Sequence, residues 1–385
     1  MAQSWTLLDV DKNQYLDAEA PLLESSELDG LSLQRHTMRG GLCDGVDVLH
    51  VVNGPLSFRV LPTRGLGIWD AHYHGERFGW NSPVRGPVHP KFVDLGEPSG
   101  LGWLDGFNEL LVRCGLESNG APEFDDDGRL AFPLHGRIAN KPAHRLEVTI
   151  DPEQEELRIS GEVDEVRFHF LKLQMRTTIV TKRGEPGFRV RDEIFNLSAS
   201  PAEMQILYHV NFGSPLLAAG SRVVAPVKTV VPRNAHAADG VRTWDTYEAP
   251  SPGFEEQVYF LELLANEDHQ SRAMLKNAQG SHAVSMSFDN RVLPCFSIWK
   301  NTTAASDGCV TGLEPGTNFP NPRSYEGEHG RVIKLAGASS VVFDLGLEFH
   351  RGESEVQAAE ALIAEIQAGR PPRIYDAPQP GWCAP

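Results

Sequence analysis

Phe170-Leu171-Lys172-Leu173-Gln174-Met175-Arg176-Thr177-Thr178-Ile179-Val180-Thr181 is followed, after Lys182-Arg183-Gly184-Glu185-Pro186-Gly187, by Phe188-Arg189-Val190-Arg191-Asp192-Glu193-Ile194-Phe195-Asn196-Leu197. Both runs alternate apolar and polar residues over most of their length and are rich in Val, Ile, Thr and Phe, while the Gly/Pro segment between them cannot continue a strand. A period of two puts one set of side chains on a covered face and the other set in water. The stretch therefore predicts two long strands joined by a turn. Working outward, Val46 to Val52 and Leu56 to Leu61 flank Asn53-Gly54-Pro55 as an early hairpin. Met204 to Phe212, Gln257 to Leu264, His282 to Phe288, Leu293 to Trp299, Cys309 to Glu314 and Ser339 to Phe349 extend the series. No strand–helix–strand alternation occurs, which argues against a doubly wound sheet. The pattern predicts an all-β fold, one large β-sandwich decorated with loops.

One helix is predicted, from Glu355 to Gln367. Ser354 and Gln357 form a capping-box pattern, Val356, Ala359, Leu362, Ile363 and Ile366 form an apolar stripe, and Gly369 ends it. The expected organisation is a single sandwich domain over residues 33–350, with residues 351–385 as a helix and Pro-rich tail packed on it. Gly79 to Arg137 has a different texture, rich in Gly, Pro and aromatic residues, and is expected to supply pocket-shaping loops.

The 385 residues are 41% hydrophobic, enough for a large core, and carry 35 basic against 52 acidic side chains, a formal charge of -17. Such a surface disfavours nonspecific binding to nucleic acid or an anionic membrane. No uncharged apolar run approaches the ~18 residues of a membrane span. The first residues lack the pattern of a signal peptide. The five cysteines, Cys43, Cys114, Cys295, Cys309 and Cys383, are dispersed, without zinc-site or thioredoxin spacing. A reduced, cytoplasmic protein is the expectation. A homodimer is compatible with this composition but has no specific signal.

Candidate chemistry begins with Leu313-Glu314-Pro315-Gly316-Thr317-Asn318-Phe319-Pro320-Asn321-Pro322, where a carboxylate stands at the end of a strand-like run. A general base fits there; so does a solvated glutamate before a turn. In Met204 to Phe212, the period of two puts Gln205, Leu207, His209 and Asn211 on one face and Ile206, Tyr208, Val210 and Phe212 on the other. His209 thus lies on the polar side, as an acid/base group or a satisfied structural histidine. His135, in Pro133-Leu134-His135-Gly136-Arg137, exchanges protons near neutral pH or holds a loop. Arg64, in Pro62-Thr63-Arg64-Gly65, offers a planar fork for two hydroxyls or an ion pair. His72 and His74, flanking Tyr73, would be metal ligands only with a third converging residue, and the spacing supplies none. Trp80, Trp103, Phe107, Trp244 and Trp299 are possible sugar platforms, Trp103 and Trp299 foremost because polar candidates lie near them. Phosphate-loop, dinucleotide, HExxH and nucleophile-elbow motifs are all missing.

Pro62-Thr63-Arg64-Gly65, Gly79-Trp80-Asn81-Ser82-Pro83, Gly102-Trp103-Leu104-Asp105-Gly106-Phe107, Cys114-Gly115-Leu116, Pro133-Leu134-His135-Gly136-Arg137, Tyr208-His209-Val210-Asn211-Phe212-Gly213 and Leu313-Glu314-Pro315-Gly316-Thr317-Asn318 together resemble the galactose mutarotase-like superfamily, which includes aldose 1-epimerases. The likeness is strongest to its DUF4432 branch. It implies a twisted β-supersandwich with a monosaccharide-binding cleft, His209 as general acid, Glu314 as general base, and His135 and Arg64 on the sugar. Trp103, Glu109, Asn211 and Trp299 complete the expected substrate contacts, and neither cofactor nor metal is needed. The family's usual Tyr-Phe-Asn-Leu continuation is replaced here by Val210-Asn211-Phe212-Gly213. The aspartate that grips hydroxyls has only Asp245 and Glu109 as stand-ins, so sugar preference does not transfer. The implied reaction is anomer interconversion of a free or modified sugar. The alternatives are an isomerase, C2-epimerase or lyase on a modified sugar, in which His72, His74 and Lys300 would matter more, and a noncatalytic carbohydrate-binding protein.

Overall fold

The computed structural model describes residues 2–16 and 30–385. Lys172–Lys182 and Gly187–Asn196 form the expected strands, pairing antiparallel with every second residue buried. They lie in a ten-stranded sheet running, in spatial order, Arg222–Val224, Gln270–Lys276, His282–Asp289, Ser340–Arg351, Gly187–Asn196, Lys172–Lys182, Glu156–Val166, Arg145–Asp151, Gln3–Asp9 and Gln14–Tyr15. A thirteen-stranded sheet packs against it. Its central order is Gln257–Leu263, Cys295–Asn301, Val310–Gly316, Ala202–Phe212, Leu111–Leu116 and Gly67–Tyr73. The main core lies between the sheets, joining Met175, Ile179, Val190 and Leu345 of the smaller to Ile206, Tyr208, Val210, Phe212 and Leu313 of the larger. The all-β sandwich expected from the sequence is the fold observed.

The partition of Ala202–Phe212 follows its period of two. Ile206, Tyr208, Val210 and Phe212 enter the main core, whereas Leu207 joins a second cluster with Trp80, Trp103, Phe107, Val112, Cys114, Ala139 and Val310 on the opposite face of the sheet. That second face is roofed by the segment from Gly79 to Arg137, as expected of pocket loops. Leu111–Leu116 departs from the expectation. All six residues are buried, and the strand pairs with Ala202–Phe212 deep in the sheet. A strand covered on both faces loses alternation, so period alone does not reveal it.

A buried polar network fastens the two sheets. Asp192, in the smaller sheet, accepts from Arg113 Nε at 2.9 Å and Nη2 at 3.1 Å, from Thr177 Oγ1 at 2.6 Å and from Tyr208 Oη at 2.9 Å. Arg113 Nη1 also donates to the Leu66 carbonyl at 2.6 Å.

Gln3–Asp9 joins the smaller sheet beside Arg145–Asp151, ahead of the expected boundary at residue 33, and places Leu7 in the core. Glu353–Gln367 is the predicted helix, packing Val356, Ala359 and Ile363 on Met274 and Ala283 outside the smaller sheet. Leu362, assigned to the stripe, is exposed. The N-terminus is not a capping box: Gly352 is the cap residue, and Glu355 Oε2 accepts from the Arg351 amide at 2.9 Å. The tail returns to the larger sheet, where Arg373–Ile374 pairs parallel with Val227–Pro232 and Trp382 stacks on Phe319.

Candidate active site

Strand register creates the site. Leu207 is opposite Gly316 and Val210 opposite Leu313, so His209 and Glu314 fall directly across from each other on the roofed face. His209 Nε2 lies 3.2 Å from Glu314 Oε1, and both side chains are almost fully buried. Gly312, two residues before Glu314, makes the approach possible. A Cβ there would stand 2.3 Å from Glu314 Oε1 and 3.0 Å from His209 Cε1.

Asn211 sets the tautomer of His209. Its amide nitrogen donates to the carbonyls of Glu109 at 3.0 Å and His209 at 3.2 Å, which leaves Oδ1 to accept from His209 Nδ1 at 2.6 Å. Nε2 is therefore the nitrogen turned toward Glu314. His135 holds a left-handed backbone conformation, φ 55°, and its Nδ1 donates to the Asn119 carbonyl at 2.9 Å. Asn119 is itself clamped by reciprocal 2.8 Å amide bonds to Asn318, so the segment after Glu314 fixes the loop that presents His135. The two imidazole centroids are 5.4 Å apart.

Aromatic rings enclose the group. Trp103 lies 4.6 Å from His135 and Phe107 5.2 Å from His209, with Trp299 5.5 Å from His209 on the more open side. Glu314 Oε1, Trp103 Nε1 and Ser297 Oγ, the last on the residue paired with Glu314 in the neighbouring strand, are buried and make no hydrogen bond. Orphaned polar atoms of this kind are costly in a core and suit a site that receives oxygen-rich groups.

Burial governs the protonation states. It pushes Glu314 up to about 8, with the nearby Glu256 carboxylate adding to the rise and Arg233 opposing it. Burial also drives His209 well below the usual imidazole range, helped by His135 and opposed by the Asn211 hydrogen bond. His135 is lowered to about 4, again mainly by burial. Near neutral pH both imidazoles are thus neutral, and the His209–Glu314 pair carries one exchangeable proton, on the carboxyl.

Arg64 and Glu109 require correction. Arg64 was expected on sugar hydroxyls, but its Nε donates to Glu109 Oε1 at 2.6 Å, its Nη1 to the Val88 carbonyl and Asn140 Oδ1, and its Nη2 to the Gly106 carbonyl. Glu109 is fully buried, and its other oxygen accepts from the Asn108 amide. The pair anchors the loop that carries Trp103 and Phe107. Asn211 likewise orients His209, with both amide hydrogens donated to carbonyls and Oδ1 bound to the imidazole. A motif identifies such residues as special but does not say which neighbours consume their donors.

Glu256 and Arg233 escaped the sequence reading. Glu256, exposed at the start of Gln257–Leu263, accepts from Trp299 Nε1 at 2.7 Å and Arg233 Nη2 at 3.1 Å. Its charge reaches Glu314 and His135. No local pattern marks a lone surface glutamate; only the Trp299 partnership does. Asp245 is occupied by Arg222 at 2.9 Å, Trp244 belongs to the main core, and Lys300 donates to the carbonyls of Thr243 and Thr246. His72 lies in Gly67–Tyr73, but His74 sits in the following turn with φ 51°, so the two do not share a strand face.

Residues 43–349 match the family described as Domain of unknown function (DUF4432). A solved structure from Klebsiella pneumoniae subsp. pneumoniae, named as a candidate aldose 1-epimerase, is 35% identical, with a TM-score of 0.92 over 98% of this chain and 99% of its own. A galactose mutarotase-like protein from Clostridium acetobutylicum is similar at 14% identity and TM-score 0.57, over 84% of this chain and 99% of its own. A galactose 1-epimerase from Lactobacillus acidophilus is similar at 13% identity and TM-score 0.54, with the same coverage of 84% and 99%. These two likenesses concern the fold. No curated protein matches the sequence. The chain belongs to the DUF4432 family and has the galactose mutarotase-like fold.

Proposed function

We propose that this DUF4432 protein is a carbohydrate epimerase that interconverts the α- and β-anomers of a free or modified aldose by acid–base ring opening. The observation that carries the reading is the buried pair His209 Nε2 and Glu314 Oε1, 3.2 Å apart on an aromatic-walled face. The name of the Klebsiella pneumoniae relative supports it.

The chemistry follows from the single proton. His209 Nε2 takes the proton of the anomeric hydroxyl while Glu314 gives its own to the ring oxygen. The bond from the anomeric carbon to the ring oxygen breaks, and the carbonyl forms. The pair is left as imidazolium and carboxylate, a charge pair in a site shielded from water. After rotation of the aldehyde, Glu314 removes the proton from the ring-forming hydroxyl and His209 protonates the carbonyl oxygen as the ring closes. The expected roles, Glu314 as base and His209 as acid, thus belong to ring closure, and burial reverses them for opening.

His135 and the Trp103 indole N–H would hold sugar oxygens, the rings would cover C–H faces, and Glu256 with Arg233 and Trp299 would address hydroxyls at the open side. The test follows freshly dissolved α- and β-anomers of an aldose panel by polarimetry or proton NMR, with chelator and without nucleotide. Faster exchange of at least one sugar is expected. A folded protein that accelerates none of a broad panel sinks the reading.

A further inference from the structure

Arg137 ends the Pro133–Arg137 motif, yet nothing in the site above uses its side chain. Arg137 is half-buried, whereas the buried arginines are partnered: Arg64 and Arg113 through several donors each, and Arg35, apart from its Nε, with Asp47 and two carbonyls. Among the described residues, Arg137 has no side-chain hydrogen bond or ion pair, and its Nε is buried without an acceptor. It lines a cavity of about 210 Å³ where the turn after Glu156–Val166 meets the loop that follows His135. Lys141 and Arg167 line the same cavity and likewise make no ion pair among the described residues; Arg167 lies 5.2 Å over the Phe170 ring.

Two carboxylates share the cavity. Glu165 is already engaged, its oxygens accepting from the Leu116 amide at 2.9 Å and the Glu117 amide at 3.1 Å. Glu117 lines the wall, with no cation at ion-pair distance among the described residues. Three cations thus line a cavity whose two carboxylates leave one positive charge in excess, although Arg137 already acts on the charge of Glu165, and this excess stands out in a chain of charge -17. Guanidinium pairs and an ammonium are the groups that recognise a tetrahedral oxyanion, bidentate from Arg and as a point charge from Lys.

We propose that Arg137, Lys141 and Arg167 form a phosphate-binding site separate from the His209–Glu314 site, taking free phosphate or the phosphoryl group of a small ester. The cavity is too small for a nucleotide-sized ligand to be enclosed. Phe170 and Leu171 at its edge provide apolar contact for the carbon skeleton of an ester.

Isothermal titration of the full chain with inorganic phosphate, at constant ionic strength, tests this. Saturable binding is expected, weakened at least tenfold by R137Q and measurably by K141Q, whereas R189Q, on a different exposed surface, binds as the unmodified protein does. Phenyl phosphate serves as the second probe. Tighter binding than phosphate assigns an ester, equal binding assigns the free ion, and both support the site. No saturable heat from either probe overturns the proposal, as does equal weakening by R137Q and R189Q, or R137Q binding unchanged. Should R137Q fail to fold, K141Q, whose side chain makes no hydrogen bond or ion pair among the described residues, decides the matter by the same criterion.

Discussion

Tyr208 and His209 are adjacent on one strand and face two opposite solutions to burying polar groups. On the Tyr208 side, Asp192 is saturated by Arg113, Thr177 and Tyr208, and the network holds two sheets together. On the His209 side, Glu314 Oε1 approaches an imidazole but makes no hydrogen bond, and Trp103 Nε1 and Ser297 Oγ are orphaned nearby. The contrast separates stability from reactivity. A carboxylate whose oxygens are all taken by fixed donors serves as structure, whereas Glu314, left unfilled in a dry environment, holds a proton it can exchange.

The comparison breaks first on turnover. Glu314→Gln and His209→Asn should each lower the anomer-exchange rate about 10²–10⁴-fold, the usual worth of a general acid or base. Their unfolding free energies should change far less than that of Asp192→Ala. Exchange at the unmodified rate in both variants would remove the pair from the mechanism.

Asp192→Ala should produce the reverse pattern. It leaves Arg113 buried and unpaired, a loss of about 3–5 kcal/mol in urea unfolding, with normal turnover per folded molecule. A loss below about 1 kcal/mol would mean that the network is decorative. Gly312→Ala should fall next in size. Its Cβ would intrude on both catalytic groups, and displacement of about 1 Å in a reacting pair costs on the order of 10²-fold in rate with modest loss of stability.

The smallest effect concerns pH. Glu314 is raised to about 8 in the fold, so it is protonated when folded and ionised when unfolded across the neutral range. Stability from this group is complete below the unfolded carboxylate range and is lost as pH rises through about 8, with a slope of at most about 1.4 kcal/mol per pH unit. His209 and His135, both lowered, act oppositely: their contribution is present above the ordinary imidazole range and is lost as pH falls below it. Between roughly pH 6.5 and 8, unfolding midpoints of the unmodified protein should decline relative to Glu314→Gln. Parallel curves would show that Glu314 is ionised in the folded protein.

Local chemistry made much of this legible. Alternation placed His209 and Leu207 on one face and Tyr208 and Val210 on the other, because successive strand residues must point oppositely whatever the fold. It also marked the long strands, but it ended the strand of Glu314 too early: Pro315 and Gly316 still pair, opposite Phe296 and Cys295, so Glu314 stands within the strand rather than at its last residue. It could not show that Leu111–Leu116 is a central strand, since burial on both faces erases the period.

Tertiary structure decided the rest, because partners distant in sequence are chosen by register and packing. The pairing of Ala202–Phe212 with Val310–Gly316 set Glu314 against His209, where a one-residue slip would have turned Glu314 to the core. Packing also assigned the donors. Arg64 reads in sequence as a fork for hydroxyls or as half of an ion pair, and packing chose the second, with Glu109, Val88, Gly106 and Asn140 taking its donors. The sequence gives the Arg137 side chain no role, and no hydrogen-bond acceptor among the described residues reaches it. The sequence by itself determined which side chains share a face and which segments extend. Only the folded chain decided which buried polar groups are satisfied, because satisfaction depends on distances between residues that the chain brings together from far apart.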